Sequence, residues 1–237
     1  MKYINYDRFR PHLVKLSDFT GPQVGDPLVD VEFYDLEGNK RALSSFLGRP
    51  IVLEAGSYTC PMYCKGVSTM NELAQQYPEV TFLVMYIREA HPGERTTGHK
   101  SLEQKFELAH RIAASESHRT VLIDDIDGQA HCAYGTLPNS VHIFDENGVL
   151  AYRSDWCHPP VVAQVLKHMG EKEVRFTRDH YEKIPPMNSI QILLRGGWLA
   201  FMDVVVQSPL MIYEHAKARL TVGSSRTLTR KSAKECC

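Results

Sequence analysis

Two rhythms of apolar and polar positions divide this chain. Ile51-Val52-Leu53-Glu54-Ala55, Val80–Ile87 and Thr120–Ile123 are short, nearly unbroken apolar runs between turn residues, the pattern of strands covered on both faces. Between the first two, Val67, Met70, Leu73 and Ala74 recur at helical spacing from Pro61 until Tyr77-Pro78 stops them. A second helix is predicted from Ser101, where Ser101-Leu102-Glu103-Gln104 forms a capping box, to about Ser115. Upstream, Val29, Val31 and Phe33 alternate with polar residues and Leu36-Glu37-Gly38-Asn39 turns the chain, so a short hairpin is expected before Leu43–Leu47. Downstream, Ser140–Phe144 and Val149–Arg153 flank Asp145-Glu146-Asn147-Gly148, and Asn-Gly between apolar runs is a strong hairpin signal. A last helix is expected from about Pro159 to Met169.

Strand, helix, strand, helix, strand, hairpin, helix: this order predicts an α/β protein with a central mixed sheet and helices on both faces. With Cys60 at the end of the first core strand and Pro138 just before the hairpin, residues 28–169 resemble a thioredoxin-like redox domain. The likeness implies a cis Leu137-Pro138 bond opposite Cys60. Residues 1–27 read as irregular and end in the loop signature Gly21-Pro22-Gln23-Val24-Gly25-Asp26-Pro27. Residues 170–223 read as a helical extension. Within it Ile190–Tyr213 is apolar but interrupted by Gln191, Arg195, Asp203 and Gln207, with a Gly196-Gly197 break and Pro209. A charge at bilayer depth costs roughly 2.5–3.5 kcal/mol, so no membrane span is expected, and packing onto the core or a homodimer contact is. Residues 224–237, rich in Ser, Thr, Arg and Lys, read as a disordered tail that carries Cys236 and Cys237 as bystanders.

Composition narrows the class. The 237 residues are 43% hydrophobic and 23% charged, as in soluble globular proteins. A formal net charge of −1 gives no reason to expect nucleic acid or an anionic membrane as partner. Met1–Arg8 holds no apolar run of signal-peptide length, and the six cysteines are unevenly spread. The expectation is a reducing cytoplasm with one or two working thiols, not a secreted disulfide framework. The acidic turn Asp124-Asp125-Ile126-Asp127-Gly128 lacks the spaced ligands of a calcium loop and reads as solvated, so no metal is expected.

The candidate chemistry sits in Gly56-Ser57-Tyr58-Thr59-Cys60-Pro61-Met62-Tyr63-Cys64. A buried strand that empties through a Gly/Ser turn into Cys-Pro and a helix puts the Cys60 thiol at a helix N-terminus. There the unpaired N–H groups and the helix dipole favour thiolate and bring a cysteine pKa down to roughly 3.5–7.5. Pro61 suits the first helical position. Cys64 lies one turn on, about 6 Å away between Cα atoms on a helix, near the upper end of disulfide range. It reads as a resolving thiol, a copper ligand or a small buried apolar residue. The surroundings match a peroxiredoxin motif by half, with Ser57 in its Thr/Ser place but Leu53 where its proline belongs. The Cys-x-x-x-Cys spacing is also similar to Sco-type copper chaperones.

A second cluster, Tyr86-Ile87-Arg88-Glu89-Ala90-His91, ends the strand after the candidate helix, where an α/β sheet presents its ligand-facing loops. Taken with Gly56-Ser57-x-Thr59-Cys60-Pro61, His99-Lys100-Ser101-Leu102-Glu103 and Ala133-Tyr134-Gly135, it resembles the iodothyronine deiodinase family over about residues 28–155. The resemblance implies that Cys60 occupies the selenocysteine position and that Glu89, His91 and His99 take acid/base and substrate-orienting positions; Cys64 joins them as a candidate resolving thiol on its spacing alone. Ser57, Tyr58, Thr59, Pro138 and Ser140, which surround Cys60 in this reading, are the candidate substrate-contacting residues. Ser140 stands where the family has a phenoxyl-binding arginine, and Pro92-Gly93-Glu94-Arg95 replaces an Asp-Gly-Trp. The implied activity is a thiol oxidoreductase reaction on a halogenated phenol or a peroxide. It needs no bound cofactor and draws electrons from an external dithiol of the thioredoxin or glutathione type. A peroxiredoxin-like peroxidase and a copper-binding or non-catalytic thioredoxin-fold module are the other readings.

Overall fold

The computed structural model describes residues 4–11, 21–135, 137–169, 186–222 and 227–229. Its first elements are β1 (Glu32–Tyr34), β2 (Lys40–Ala42), a 3₁₀ turn at Leu43–Phe46, β3 (Ile51–Gly56), α1 (Pro61–Gln76) and β4 (Thr81–Tyr86). Then come α2 (Leu102–Ala113), β5 (Thr120–Ile123), α3 (Gln129–Tyr134), β6 (Val141–Phe144), β7 (Leu150–Ser154) and α4 (Pro159–Lys167). α5 (Pro186–Gly196), α6 (Trp198–Val222) and β8 (Thr227–Thr229) follow. One mixed sheet takes the order β2-β1-β5-β4-β3-β6-β7-β8. β3, β4 and β5 are parallel, and the outer strands pair antiparallel. This is a thioredoxin-like arrangement.

Handedness explains where the helices lie. β3, β4 and β5 step in one direction across the sheet, so two right-handed crossovers must put α1 and α2 on the same face. The chain then doubles back to β6, on the far side of β3, and α3 makes that crossing on the opposite face. Alternating side chains follow suit. Val84 and Tyr86 of β4 join Tyr63 of α1 and Ala109 and Ile112 of α2 in one cluster. Leu83 and Met85, one residue out of phase, join Ala130 and Tyr134 of α3 in another. Val52 packs with Met70, Leu73 and the α4 residues Val161, Val162 and Val165.

The strand β5, the ends of α1 and the 145–148 turn follow the expected pattern; Gly148, at φ 76°, supplies the left-handed position that the turn requires. Three features depart from it. The Leu137–Pro138 bond is trans, because the described backbone contains no cis peptide. Pro138 sits second in a turn closed by Ser140 N–H donating to Leu137 O at 3.0 Å, a position where a trans proline already has the required φ. The acidic turn is not wholly solvated. Asp124 is fully buried and accepts from Ala130 N–H (2.8 Å) and His131 N–H (3.1 Å), capping the unforeseen six-residue helix α3. Within the segment expected to be disordered, Thr227–Thr229 pairs with β7, and residues 224–226 and 230–237, with Cys236 and Cys237, lie outside the described residues. So does most of the span 1–27 before residue 21 and the stretch 170–185 of the extension.

The extension breaks at Gly197 (φ 109°), where the sequence predicted it, while Pro209 is carried inside α6. Val206, Ile212 and Tyr213 of α6 are exposed. No helix among the described residues is long and apolar enough to cross a membrane.

Candidate active site

Cys60 is the N-cap of α1, with Pro61 in the first turn. It is only 5% exposed, and this reverses the expectation for its proton. Burial pushes the thiol up to about 11. The amides of Met62 and Tyr63 pull the other way, but the Glu89 and Glu54 carboxylates add to the rise. The helix N-terminus is therefore present but outweighed by desolvation, and the resting site holds a thiol.

Glu89 organises the loop in front of it. Buried at the end of β4, it accepts from Ser57 Oγ (3.2 Å), Tyr58 N–H (3.3 Å), Thr59 N–H (2.8 Å), Thr59 Oγ1 (2.5 Å) and Tyr86 OH (2.5 Å). The same hydroxyls then accept from the opposing strand end. Ala90 N–H reaches Ser57 Oγ at 2.9 Å and His91 N–H reaches Thr59 Oγ1 at 3.0 Å. Ser57 and Thr59, expected at the substrate, both hydrogen-bond to Glu89 and fix the Cys60 loop to it.

The Tyr86 hydroxyl carries one proton. It gives that proton to Glu89 and stands 2.8 Å from His99 Nε2, so His99 must donate through Nε2–H. The result is a continuous His99–Tyr86–Glu89–Thr59 chain that ends one residue from Cys60. Burial holds His99 at about 3 and His91 at about 4, so both rings are neutral. The ring of His91 packs on Phe9 at 4.7 Å, and its Nδ1, like that of His99, has no hydrogen-bond partner among the described residues. Of the two histidines, Glu89 is linked through hydrogen-bonded side chains to His99. Tyr86 was given no role from the sequence, although it opens the Tyr86–His91 cluster; its place as the last strand residue, three before Glu89, was the available signal.

Cys64 is half-buried one turn into α1. Its thiol faces the carbonyls of Tyr58 (3.6 Å) and Ser57 (3.9 Å), and burial pushes it up to about 12 against the pull of Arg195. Arg195 comes from α5. Its Nη1 lies 3.4 Å from Cys64 Sγ and 3.2 Å from Tyr58 O, and its guanidinium sits 4.7 Å from the centre of the half-exposed Tyr58 ring. The loop at 92–96 puts it there. Arg95 N–H donates to Gly196 O (3.0 Å), Thr96 Oγ1 to Arg195 O (2.9 Å), and Trp198 and Leu199 N–H to the Glu94 carboxylate (2.5 and 2.9 Å).

On the far side, the turn at Pro138 is stitched to the site by Ala55 N–H donating to Ser140 O at 2.8 Å. Ser140 is buried, and its Oγ has no partner among the described residues. Beneath α1, Glu54, Arg119, Glu116 and Tyr63 form a buried charged network. Cys60, Cys64, Cys132 and Cys157 are all free thiols. Among the described residues no three His, Cys, Asp or Glu side chains are grouped to hold a metal ion.

Set against known proteins, residues 36–159 match the model of the iodothyronine deiodinase family. A thyroxine 5-deiodinase of Gallus gallus is 27% identical over 152 residues, 59% of this chain and 59% of that protein. One of Ovis aries is 29% identical over 155 residues, 60% of this chain and 53% of that one. The chain therefore spans between about half and three-fifths of these relatives. Among solved structures, an uncharacterized conserved protein from Geobacillus kaustophilus is similar in fold, with a TM-score of 0.51 at 15% identity over 63% of this chain and 82% of that one.

Proposed function

The chain belongs to the iodothyronine deiodinase family, and from that premise we propose that it is a thiol-dependent oxidoreductase that removes halogen from a small halogenated phenol. The observation that carries this reading is the Cys60 loop held on Glu89, with the His99–Tyr86 chain behind it, in register with the family match. A nucleophile, a carboxylate and a neutral imidazole joined by one hydroxyl supply what a two-electron reduction needs: a sulfur to attack and a route for one proton.

The steps balance as follows. Cys60 gives up its proton, and its sulfur attacks the halogen; an S–halogen bond forms, the carbon–halogen bond breaks and the electron pair stays on carbon. That carbon takes a proton, for which His99 and Tyr86 provide the path. Cys64 or an external thiol then displaces halide, forming an S–S bond and releasing one proton. A dithiol of the thioredoxin or glutathione type returns the pair to thiols, so the cycle needs no bound cofactor. A reducing compartment such as the cytoplasm suits the free thiols. Sulfur parts with its electrons to halogen less readily than selenium, so thyroxine is expected to be a slow substrate.

The test is iodide release from iodophenols and thyroxine, with dithiothreitol as donor, by the unaltered protein and by Cys60→Ser. Loss of release in Cys60→Ser supports the reading, and equal release in both defeats it. Consumption of hydrogen peroxide with no iodide release would move the chain to the peroxidase reading.

A further inference from the structure

Helix α5 lies wholly outside the family-matched residues 36–159, yet it delivers a guanidinium to the thiol helix. Arg195 is exposed, and so is Arg111 of α2, whose guanidinium lies 5.9 Å from the same Tyr58 ring. Neither arginine is paired with a carboxylate among the described residues. Most exposed arginines point to solvent at random; this one is pinned at both ends. Its backbone carbonyl is held by Thr96, and the next residue is in backbone contact with the loop that follows His91. A Cβ on Gly196 would stand 2.4 Å from His91 O, and one on Gly93 would stand 2.5 Å from Gly196 O. Only glycine at both positions permits this approach, which fixes Arg195 over Tyr58. The residue at 140, by contrast, is a buried neutral serine. Among the described residues, Arg195 and Arg111 are the two exposed guanidinium groups that face the Tyr58 ring beside the thiols.

We infer that Arg195, supported by Arg111, is the substrate-binding cation of this site and takes an organic oxyanion, a phenolate or carboxylate, against the Tyr58 ring beside Cys64. A planar guanidinium that already stacks on an aromatic ring keeps its outer N–H edge for such a group. The inference deepens the reading of Cys60 and Cys64 as the reacting thiols, since it names the charge of what reaches them.

Two alkylating probes of the same shape test it without relying on turnover. Iodoacetate carries a carboxylate and iodoacetamide does not. The ratio of their rates at Cys64, read by mass spectrometry of its peptide at pH 9, cancels both thiolate fraction and access. Arg195→Gln is expected to lower that ratio about five- to tenfold, the scale of one unit charge about 4 Å away when water screens it fully, as at an exposed side chain. Arg195→Lys should keep most of it, and Arg111→Gln should lower it by less. Circular dichroism and the thermal midpoint establish that each variant is folded; the lysine variant serves as the charge-preserving control if the glutamine variant is destabilised. An unchanged ratio in folded Arg195→Gln overturns the inference while leaving the dehalogenase reading standing. A dead Cys60 assay with a cation-dependent ratio does the reverse.

Discussion

At Cys60 two effects oppose each other, and their balance sets what the residue does at rest. The folded thiol keeps its proton to about pH 11, whereas an unfolded cysteine loses it near 8.5. Unfolding thus releases a proton between those values, and the stability tied to this thiol is complete below about 8.5 and lost as pH rises through 11. Iodoacetamide labelling of Cys60 should accordingly show a midpoint above 9; a midpoint below 7 would mean that the helix N-terminus prevails after all. Exposed Cys132 should label first at neutral pH, and Cys132→Ser should leave turnover unchanged. The proton chain gives a second expectation. His99→Ala should lower turnover by about 10²–10⁴, the worth of a positioned acid or base. Tyr86→Phe, which cuts the link between His99 and Glu89, should move the pH profile of turnover and not merely its height. A profile of unchanged shape would make Tyr86 a packing residue. Cys60, Glu89, His91 and His99 were legible because each lies in a short contiguous motif. Tyr86 opens the same motif as Glu89 and His91 but received no role, because a last aromatic in an apolar strand also reads as packing, and Arg195 was hidden because no local pattern reveals a contact 137 residues away.

Between elements, backbone often meets backbone with nothing to spare. Gly196→Ala would drive a methyl group into His91 O and should prise α5 from the 92–96 loop, at a cost on the order of 1–3 kcal/mol for overpacking. Hydrogen exchange should quicken in α5 and the first turns of α6 while β3 and β4 keep their protection; uniform loosening would show that the extension and the sheet open as one unit. A second element-scale expectation concerns the charges under α1. Arg119 joins Glu54 of β3 to Glu116 after α2, all nearly sealed from solvent. Arg119→Met leaves two buried carboxylates uncompensated and should cost about 3–5 kcal/mol, read as a lowered denaturant midpoint. Most elements were visible in the pattern because the core strands are buried on both faces and read as unbroken apolar runs, while the helices bury one face. α3 was not. Six residues are too few to show a 3.6-residue period, and its start is set by Asp124, which local reading assigns to solvent.

For the molecule as a whole, buried neutral histidines govern acid stability. His99, His131 and His142 are held at about 3 by burial, while the unfolded chain takes up protons near 6.5. Stability is full above about pH 6.5 and drains as pH falls. At pH 5 each ring accounts for about 2 kcal/mol, together about 6, a large share of the 5–15 kcal/mol typical of a domain. Circular dichroism against pH should show cooperative unfolding near pH 5. His142→Phe should shift that midpoint downward, because neither ring nitrogen of His142 has a hydrogen-bond partner among the described residues to lose. Persistence of the fold at pH 3.5 would show that these rings reach solvent.

The contact of Arg195 with the Cys60 loop also orders events in time. A chain leaving the ribosome presents Ser57, Thr59, Glu89 and His99 within some forty residues, so the carboxylate and the hydroxyls it bonds are made close together in time. The guanidinium emerges much later, after the whole sheet core through β7. The sulfur is therefore synthesised well before the charge that is to select what approaches it.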